Sequence, residues 1–200
     1  MKRKRSVFLP GLMILFAAVL IAALPTEAEG AIYEDTIRLH ILANSDSDED
    51  QAIKLALRDE ILIRFGSELS ESEMKSDAEQ KISEKLSEIE AFANEYLEKN
   101  SIGYGAKAEL STEWYDTREY TSLTLPKGYY TSLRIILGNG DGKNWWCVMF
   151  PPLCLDAACV DAPADDGIKQ YSDEEFKLIS KDGYKVKFKI LEIISDVFSS

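Results

Sequence analysis

The 200-residue chain carries 23 Lys and Arg against 35 Asp and Glu, which gives a formal net charge of −12, and 46% of its residues are hydrophobic. This hydrophobic fraction is ordinary for a globular protein, and the length is sufficient to bury a core without help from a metal or several disulfides. A charge this negative argues against binding nucleic acid through its phosphates. The composition therefore predicts an acidic, folded protein whose partners are not nucleic acids.

The first thirty residues differ in character from the rest. Four basic residues at positions 2–5 precede an apolar run over 7–24, and Pro25 is followed by the small-residue segment Ala-Glu-Gly at 28–30. This order is typical of a secretory signal peptide that is cleaved near 28–30. Because the run approaches the length that spans a bilayer, an uncleaved membrane anchor is the alternative. In both cases the positive-inside rule predicts that residues 31–200 form a single exported domain, which touches the membrane only through residues 1–30.

From residue 36 to 99 the pattern predicts one strand and two helices. Alternating apolar residues predict a strand over 36–43, which a polar turn at 44–50 ends. Ser47 and Asp50 have the spacing of a capping box at the start of a helix over 49–65, and Gly66 is expected to stop that helix. A second helix is predicted over 73–99, with one apolar stripe that is buried and a Glu/Lys-rich face that is exposed to solvent.

After residue 103 the hydrophobic period changes to two. Alternation predicts strands over 106–115, 119–125, 129–137, 144–150 and 184–190. Ser172 and Glu175 predict the cap of a short helix that ends near Ser180, and a last short helix closes the chain. This order of elements predicts an α+β fold in which a mostly antiparallel sheet carries two N-terminal helices on one face.

Residues 138–150 join a glycine-rich loop to a strand that is apolar on both faces. The loop lacks the phosphate-binding pattern, because Leu137 replaces its first glycine and Asn144 its Ser/Thr, so a hairpin loop explains the glycines. Neighbouring strand residues point to opposite faces, so Trp145 and Trp146 are expected on opposite sides of the sheet. With helices on one side only, one tryptophan is expected near the surface as a contact residue.

The chain shows no residue pattern of a catalytic or metal site. The Asp-rich turn 46–50 resembles the start of a calcium loop, but Gln51 and Leu57 stand where such a loop needs Gly and Glu. His40 is the only histidine, and spacing supplies no partners for a metal site or a catalytic triad. We therefore expect no catalytic residue, no metal and no cofactor.

Three cysteines, Cys147, Cys154 and Cys159, allow one intramolecular disulfide in an exported protein. A turn at Pro151-Pro152 would bring Cys147 and Cys154 together, and Cys154 with Cys159 is a second pairing. Three small buried thiols that never oxidise are the remaining alternative.

Three separated blocks resemble one family. They are 37–47 (IRLHILANSDS), 137–154 (LGNGDGKNWWCVMFPPLC) and 186–198, which includes Ile-Ser-Asp at 194–196. Together with the N-terminal export segment, these blocks are similar to stage II sporulation protein R of endospore-forming bacteria. The resemblance covers essentially the whole exported part.

The resemblance implies a signalling protein and not an enzyme. Members of the family are made in the forespore and exported into the space between the two membranes that separate it from the mother cell. There they are needed to activate a membrane-embedded aspartic peptidase, the sigma-E processing peptidase, which then removes the pro-sequence of the sigma-E precursor. The family supplies no catalytic residue to carry over, and the Asp-Ser/Thr-Gly triplet of aspartic peptidases is missing here, since Arg118 follows Asp116-Thr117.

On this interpretation the turn 44–50 and the loop 138–146 present contacts to the peptidase. The expected contact residues are Arg38, Asn44, Asp46, Asn139, Asp141, Trp145 and Trp146. Two other functions stay open. A glycan-binding module would use the paired tryptophans as a stacking platform, whereas a cell-wall hydrolase would need two carboxylates or a histidine site in one cleft.

Overall fold

The computed structural model of the protein describes residues 27–70, 72–120, 123–151 and 171–180, together with positions 10, 11, 13 and 16. In chain order the elements are α1 (Glu27–Glu34), β1 (Ile37–Leu42), α2 (Asp48–Ser70), α3 (Lys75–Lys99), β2 (Ala106–Tyr115), β3 (Arg118–Glu119), β4 (Thr124–Leu125), β5 (Gly128–Leu137), β6 (Asn144–Phe150) and α4 (Asp173–Ile179). Among these residues, no helix is both long enough and apolar enough to cross a membrane.

The main sheet has the strand order β2-β5-β1-β6. β2 pairs with β5 and β6 pairs with β1 in antiparallel fashion, whereas β1 and β5 run parallel. The α+β class is confirmed, and the sheet is mixed, with two antiparallel pairings and one parallel pairing. After β1 the chain passes through α2 and α3 and re-enters the sheet at the outermost strand, β2, before it turns back into β5. Such a long crossover connection is what two parallel neighbouring strands require.

Helices α2 and α3 cover one face of the sheet, as predicted. Leu39 and Ile41 of β1 point to this face and are fully buried. They belong to a core that also contains Leu57, Ile61, Ile82, Ile89, Leu133 and Ile135. Helix α2 runs on to Ser70, so the predicted stop at Gly66 is wrong. A glycine costs a helix only about 1 kcal/mol, and burial of the flanking Phe65 in the main core favours continuation.

The other face of the sheet meets a second, smaller core. Its members come from α1, the β3–β4 region, β6 and the segment 171–179 that contains α4. They are Ile32, Leu123, Leu125, Val148, Tyr171 and Ile179. Helix α1 was not predicted, because its Ala-Glu-Gly segment resembles a cleavage site. The predicted strand over 119–125 is also wrong in form, since β3 and β4 are two short strands that pair with each other.

The cap of α4 is confirmed. The Ser172 hydroxyl accepts a hydrogen bond from the Glu175 backbone N–H at 3.3 Å, and the Glu175 carboxylate accepts one from the Ser172 N–H at 2.7 Å. The predicted strand over 184–190 and the final helix lie outside the described residues. So do Cys154, Cys159 and most of the apolar run 7–24.

Candidate functional site

The two predicted contact loops meet at one end of the strands of the main sheet. β1 and β5 are parallel neighbours, so their C-terminal ends lie side by side, and the antiparallel β6 begins at the same end. The turn after β1 and the loop between β5 and β6 are therefore side by side. We call the surface formed by residues 44–50 and 138–144 the two-loop surface.

Hydrogen bonds join the two loops directly. The side-chain oxygen of Asn44 accepts a bond from the Asn139 N–H at 3.1 Å, and the Asn44 backbone oxygen accepts one from the Asp141 N–H at 3.3 Å. One Asp46 carboxylate oxygen accepts the Lys143 N–H at 2.7 Å. From beneath, the buried ammonium group of Lys54 donates to the Lys143 carbonyl at 2.9 Å. Burial lowers the pKa of Lys54, and the nearby charge of Arg58 acts in the same direction.

Two glycines let the loops approach this closely. Gly138 has φ +55°, a conformation that suits glycine, and a methyl group there would run into the Asn44 side chain. At Gly142 an added methyl group would strike the backbone carbonyl of Ser45. Close packing of the two loops therefore explains the glycines at positions 138 and 142.

Asp50 holds the turn after β1 from inside. Its carboxylate accepts hydrogen bonds from Asn44 Nδ2 at 2.9 Å, from the Ser45 hydroxyl at 2.5 Å and from the Tyr104 hydroxyl at 2.5 Å. Burial of the carboxyl group opposes ionisation, but the bonds from Ser45, Tyr104 and Asn44 outweigh it and lower the pKa of Asp50. Half of the predicted capping box is present, because the Asp50 N–H donates to the Ser47 hydroxyl at 3.2 Å. The other half is absent, because the Asp50 carboxylate accepts bonds from Asn44, Ser45 and Tyr104 instead. We call this buried carboxylate with its three donors the Asp50 hub.

The outer side of the two-loop surface is polar and mainly acidic. Its exposed acidic residues are Asp46, Asp48, Glu49 and Asp141, beside exposed Asn139 and Lys143. The structure thus brings together four of the predicted contact residues, which are Asn44, Asp46, Asn139 and Asp141. Asn44 and Asp46 use their side chains to join the loops, whereas those of Asn139 and Asp141 face solvent.

The two tryptophans point to opposite sides of the sheet, as expected, but neither is freely exposed. The Arg58 guanidinium lies 4.3 Å from the centre of the Trp145 ring, and Trp145 packs against the main core. On the other face, the Trp146 ring stacks on the His40 ring with centroids 3.6 Å apart. Because both rings are half-buried and separated by the sheet, they form no common stacking platform for a sugar.

Arg38 lies beneath the second core and is fully buried. Its Nε donates to the Cys147 carbonyl and its Nη2 to the Tyr120 hydroxyl, both at 3.0 Å. The guanidinium carbon lies 4.3 Å from the centre of the Tyr115 ring and 5.3 Å from that of Tyr130. The expectation that Arg38 contacts a partner is therefore wrong for this conformation, because alternation placed the residue on the second face without showing that α1 and α4 cover that face.

His40 belongs to a charged network that sequence reasoning missed. Its Nδ1 lies 3.1 Å from a carboxylate oxygen of Glu113, and Arg134 pairs with Glu113 at 2.9 Å and with Glu109 at 2.8 Å. Burial opposes ionisation of Glu113, but its bond to His40 and the charge of Arg134 outweigh burial and lower its pKa. The register of β1, β5 and β2 places these residues side by side, which alternation alone does not reveal.

Cys147 is disulfide-bonded. The pairing with Cys154 was one of three alternatives that the sequence left open, and both other cysteines lie outside the described residues. An oxidised Cys147 overturns the alternative in which no cysteine pairs, and it also overturns the pairing of Cys154 with Cys159.

A carboxyl pair bears on the hydrolase alternative. Asp35 lies against Glu175, and burial, followed by the charge of Glu175, raises the pKa of Asp35. A neighbouring cavity of about 500 Å³ is lined by Glu34, Asp35, Glu73, Met74, Lys75, Ser76, Glu79 and Phe150. Glu175 does not line this cavity and is committed to the cap of α4. This pair therefore does not place two carboxyl groups on opposite sides of one substrate bond, as glycoside hydrolysis requires, although Glu34, Glu73 and Glu79 line the same cavity as Asp35.

Comparison with known proteins identifies the family. A family model described as Stage II sporulation protein R matches residues 33–159. The Stage II sporulation protein R of Bacillus subtilis (strain 168) is 35% identical over an alignment of 187 positions, and the match covers 84% of each chain. The chain belongs to the stage II sporulation protein R family. No solved structure matches it.

The family match confirms the sequence resemblance and assigns the chain to sporulation. Within the family model lie both halves of the two-loop surface, the Arg38 site and Cys147. Helix α4 lies beyond its end. The part of the chain that carries family identity is thus also the part that forms the main sheet and the joined loops.

Proposed function

We propose that the protein is an exported activator of the membrane-embedded aspartic peptidase that processes the sigma-E precursor, and that it contacts this peptidase through the two-loop surface. The activator breaks no bond itself. It binds an extracytoplasmic part of the peptidase and favours its active arrangement, because a ligand shifts an equilibrium only through higher affinity for one state.

Family membership is the observation that carries the proposal. A sporulation protein of this family that acts between two cells needs export and a specific surface, and the N-terminal sequence has the layout of an export signal. Ile32, two residues after the expected boundary at residue 30, is fully buried in the second core. Residues just beyond the expected boundary therefore belong to the folded domain, and helix α1 (Glu27–Glu34) spans that boundary.

The geometry of the two-loop surface supports its role as the contact. Bonds from Asn44 and Asp46 fix the loops to each other, so Asn139 and Asp141 are held in place without a partner. A surface that is ordered before binding loses less conformational entropy on association. Its exposed carboxylates, including Asp48 and Glu49, would suit a basic segment of the peptidase.

The proposal is tested by co-expressing the chain with the peptidase and the sigma-E precursor in a host that lacks all three. Two variants alter only exposed side chains of the two-loop surface: Asp141→Ala, and Asp48→Lys combined with Glu49→Lys. The matched control is Glu84→Lys combined with Glu98→Lys, which reverses two exposed charges on α3.

We expect both two-loop variants to reduce precursor processing at least several-fold while the α3 control leaves it unchanged. Each variant is checked for export and for unfolding midpoint, so that a failure to fold is recognised. Wild-type processing by folded, exported two-loop variants would reject this surface as the contact. Processing that needs no chain at all would reject the activator function.

A further inference from the structure

Strand β2 forms one edge of the main sheet and is ten residues long. The backbone groups on the outer side of an edge strand are unpaired unless something covers them, and proteins usually protect such edges against pairing with another chain. How this edge is covered changes along the strand.

Side chains of α3 cover the first part of the edge. The Asn94 amide accepts a bond from the Ala106 N–H and donates one to the Ala106 carbonyl, both at 2.9 Å. One step further, the Glu90 carboxylate accepts the Ala108 N–H at 2.9 Å. These bonds also show that the even-numbered residues of β2 direct their backbone groups outward, because the direction alternates along a strand.

The remaining outward positions are Leu110, Thr112 and Trp114. Within the described residues, no hydrogen bond reaches the outward backbone groups of these three. Toward the N-terminus of α3, the residues on the same side of the helix as Glu90 are Ser87 and Ser83. Their side chains are too short to bond the backbone of β2 as the Glu90 carboxylate does.

An exposed aromatic pair flanks the open part of the edge. Trp114 is 52% exposed and its cross-strand neighbour Tyr129 is 65% exposed. Their rings meet edge-to-face with centroids 5.1 Å apart. Large aromatic rings beside unpaired backbone groups are the side-chain component that strand addition needs, because main-chain bonds give affinity and side-chain contacts give specificity.

We infer that a second copy of this chain occupies the open edge, so that two β2 strands pair antiparallel across a two-fold axis at Thr112. Thr112 then lies opposite its own copy, and Leu110 lies opposite Trp114 of the second copy. The three opposed pairs make about six backbone hydrogen bonds, two for each pair. This inference does not depend on the proposed function.

The register of the two paired β2 strands follows from which outward backbone groups α3 already bonds. Only an axis at Thr112 uses all three open positions and none of those that Asn94 and Glu90 occupy. Moving the axis to Ser111 would place Trp114 opposite the covered Ala108. Moving it to Glu113 would place two Glu113 carboxylates directly opposite each other, which is unfavourable.

Side chains on both faces suit this register. On the α3 face, Leu110 meets the Trp114 ring of the copy, which places apolar side chains together. On the other face, Glu113 lies opposite Ser111, and its charge is already paired with Arg134 at 2.9 Å. No side chain therefore faces a like charge directly across the axis, so the −12 charge of each chain is not concentrated at the contact.

The test uses the full chain with Thr112→Cys, purified in detergent and oxidised. In the proposed dimer the two Thr112 Cα atoms are about 5.5 Å apart, within the disulfide range of about 4.4–6.8 Å. The matched control is Lys107→Cys on the same strand. It lies five residues from the axis, so its two copies are ten residue steps, or about 33 Å, apart along the strands. Both variants keep the native cysteines and share any background cross-linking.

We expect Thr112→Cys to form a covalent dimer at least tenfold more efficiently than Lys107→Cys. Thr112→Pro should abolish dimer formation while the circular dichroism spectrum stays that of the wild type, because proline removes an outward N–H and leaves the β2–β5 ladder intact. Equal cross-linking of the two cysteine variants, or a dimer that survives Thr112→Pro, would overturn the inference. A folded wild-type chain that is monomeric in sedimentation at 100 micromolar would do the same.

Discussion

Asn44 accepts a hydrogen bond at 3.1 Å from the backbone N–H of Asn139, a residue 95 positions further along the chain. The Asn44 amide nitrogen donates at the same time to Asp50, so one side chain joins the turn after β1 to the loop before β6. The proposed contact surface is therefore one structural unit, and its parts can be tested by changing one bond at a time.

The close approach of Gly138 to Asn44 predicts non-additive mutations. Gly138→Ala should destabilise the fold by about 1–3 kcal/mol, because a residue with a side chain is strained at positive φ and its methyl group meets Asn44. In the double variant with Asn44→Ala the two nearest side-chain atoms are gone and most of the steric part is removed. The losses of the two single variants should therefore sum to more than the loss measured for the double variant. Urea denaturation of the four proteins gives the coupling energy. Strict additivity would show that the loops do not touch as described.

The Asp50 hub predicts acid sensitivity. Because the folded-state pKa of Asp50 is lowered, its contribution is fully present above the ordinary carboxyl pKa and is lost as the pH falls through the lower folded value. Asp50→Asn should cost about 1–3 kcal/mol at pH 7 and reduce the acid-dependent loss of unfolding free energy. Glu49→Gln, at the exposed neighbouring position, is the control and should change little. A variant with unchanged pH dependence would contradict the hub.

The Asp35–Glu175 pair predicts the opposite dependence. A raised folded-state pKa means that the native chain holds a proton which the unfolded chain has lost, so this contribution falls as the pH rises through the raised value. Asp35→Asn should therefore raise the unfolding free energy at neutral pH and leave it nearly unchanged in mild acid. The measurement is a series of urea titrations between pH 4 and 8. Destabilisation by Asp35→Asn at pH 7 would show that the ionised pair is favourable.

Burial of Arg38 predicts effects on stability and not on partner contact. Arg38→Ala should cost about 2–5 kcal/mol, because it leaves a cavity among the tyrosine rings and removes the hydrogen bond from Arg38 to the Cys147 carbonyl. Arg38→Met fills much of that space and also removes a buried cation, so it should cost less than Arg38→Ala. Folded Arg38→Met protein should still support precursor processing. If it folds normally but processing is lost, Arg38 reaches the partner in another conformation.

Local patterns predicted the elements well where one periodicity dominates. β2 over Ala106–Tyr115 and β6 over Asn144–Phe150 have the predicted bounds, because both strands alternate or stay apolar between clear turn residues. The Ser172–Glu175 cap was likewise visible, since it depends on two residues three positions apart. Helix α1 was missed because small residues near an apolar run also describe a cleavage site.

Long-range relationships were the part that sequence patterns could not supply. Alternation shows that Arg38 and His40 share a face of the sheet. It does not show that α1 and α4 cover Arg38, nor that the Trp146 ring stacks on His40. The exposed pair of Trp114 and Tyr129 was missed for the same reason, because their strands become neighbours only in the folded sheet. The two loops could be named from the sequence, whereas the parallel pairing of β1 and β5 explains why they meet.

The central claim, that the two-loop surface touches the peptidase, is tested most directly by photo-cross-linking during precursor processing. A photoreactive amino acid replaces Asn139 on the two-loop surface or, as the control, the exposed Glu98 on α3. We predict a covalent adduct between the chain and the peptidase from position 139 and none from position 98. Undiminished processing with no adduct from position 139, or with equal adducts from both positions, would contradict the claim.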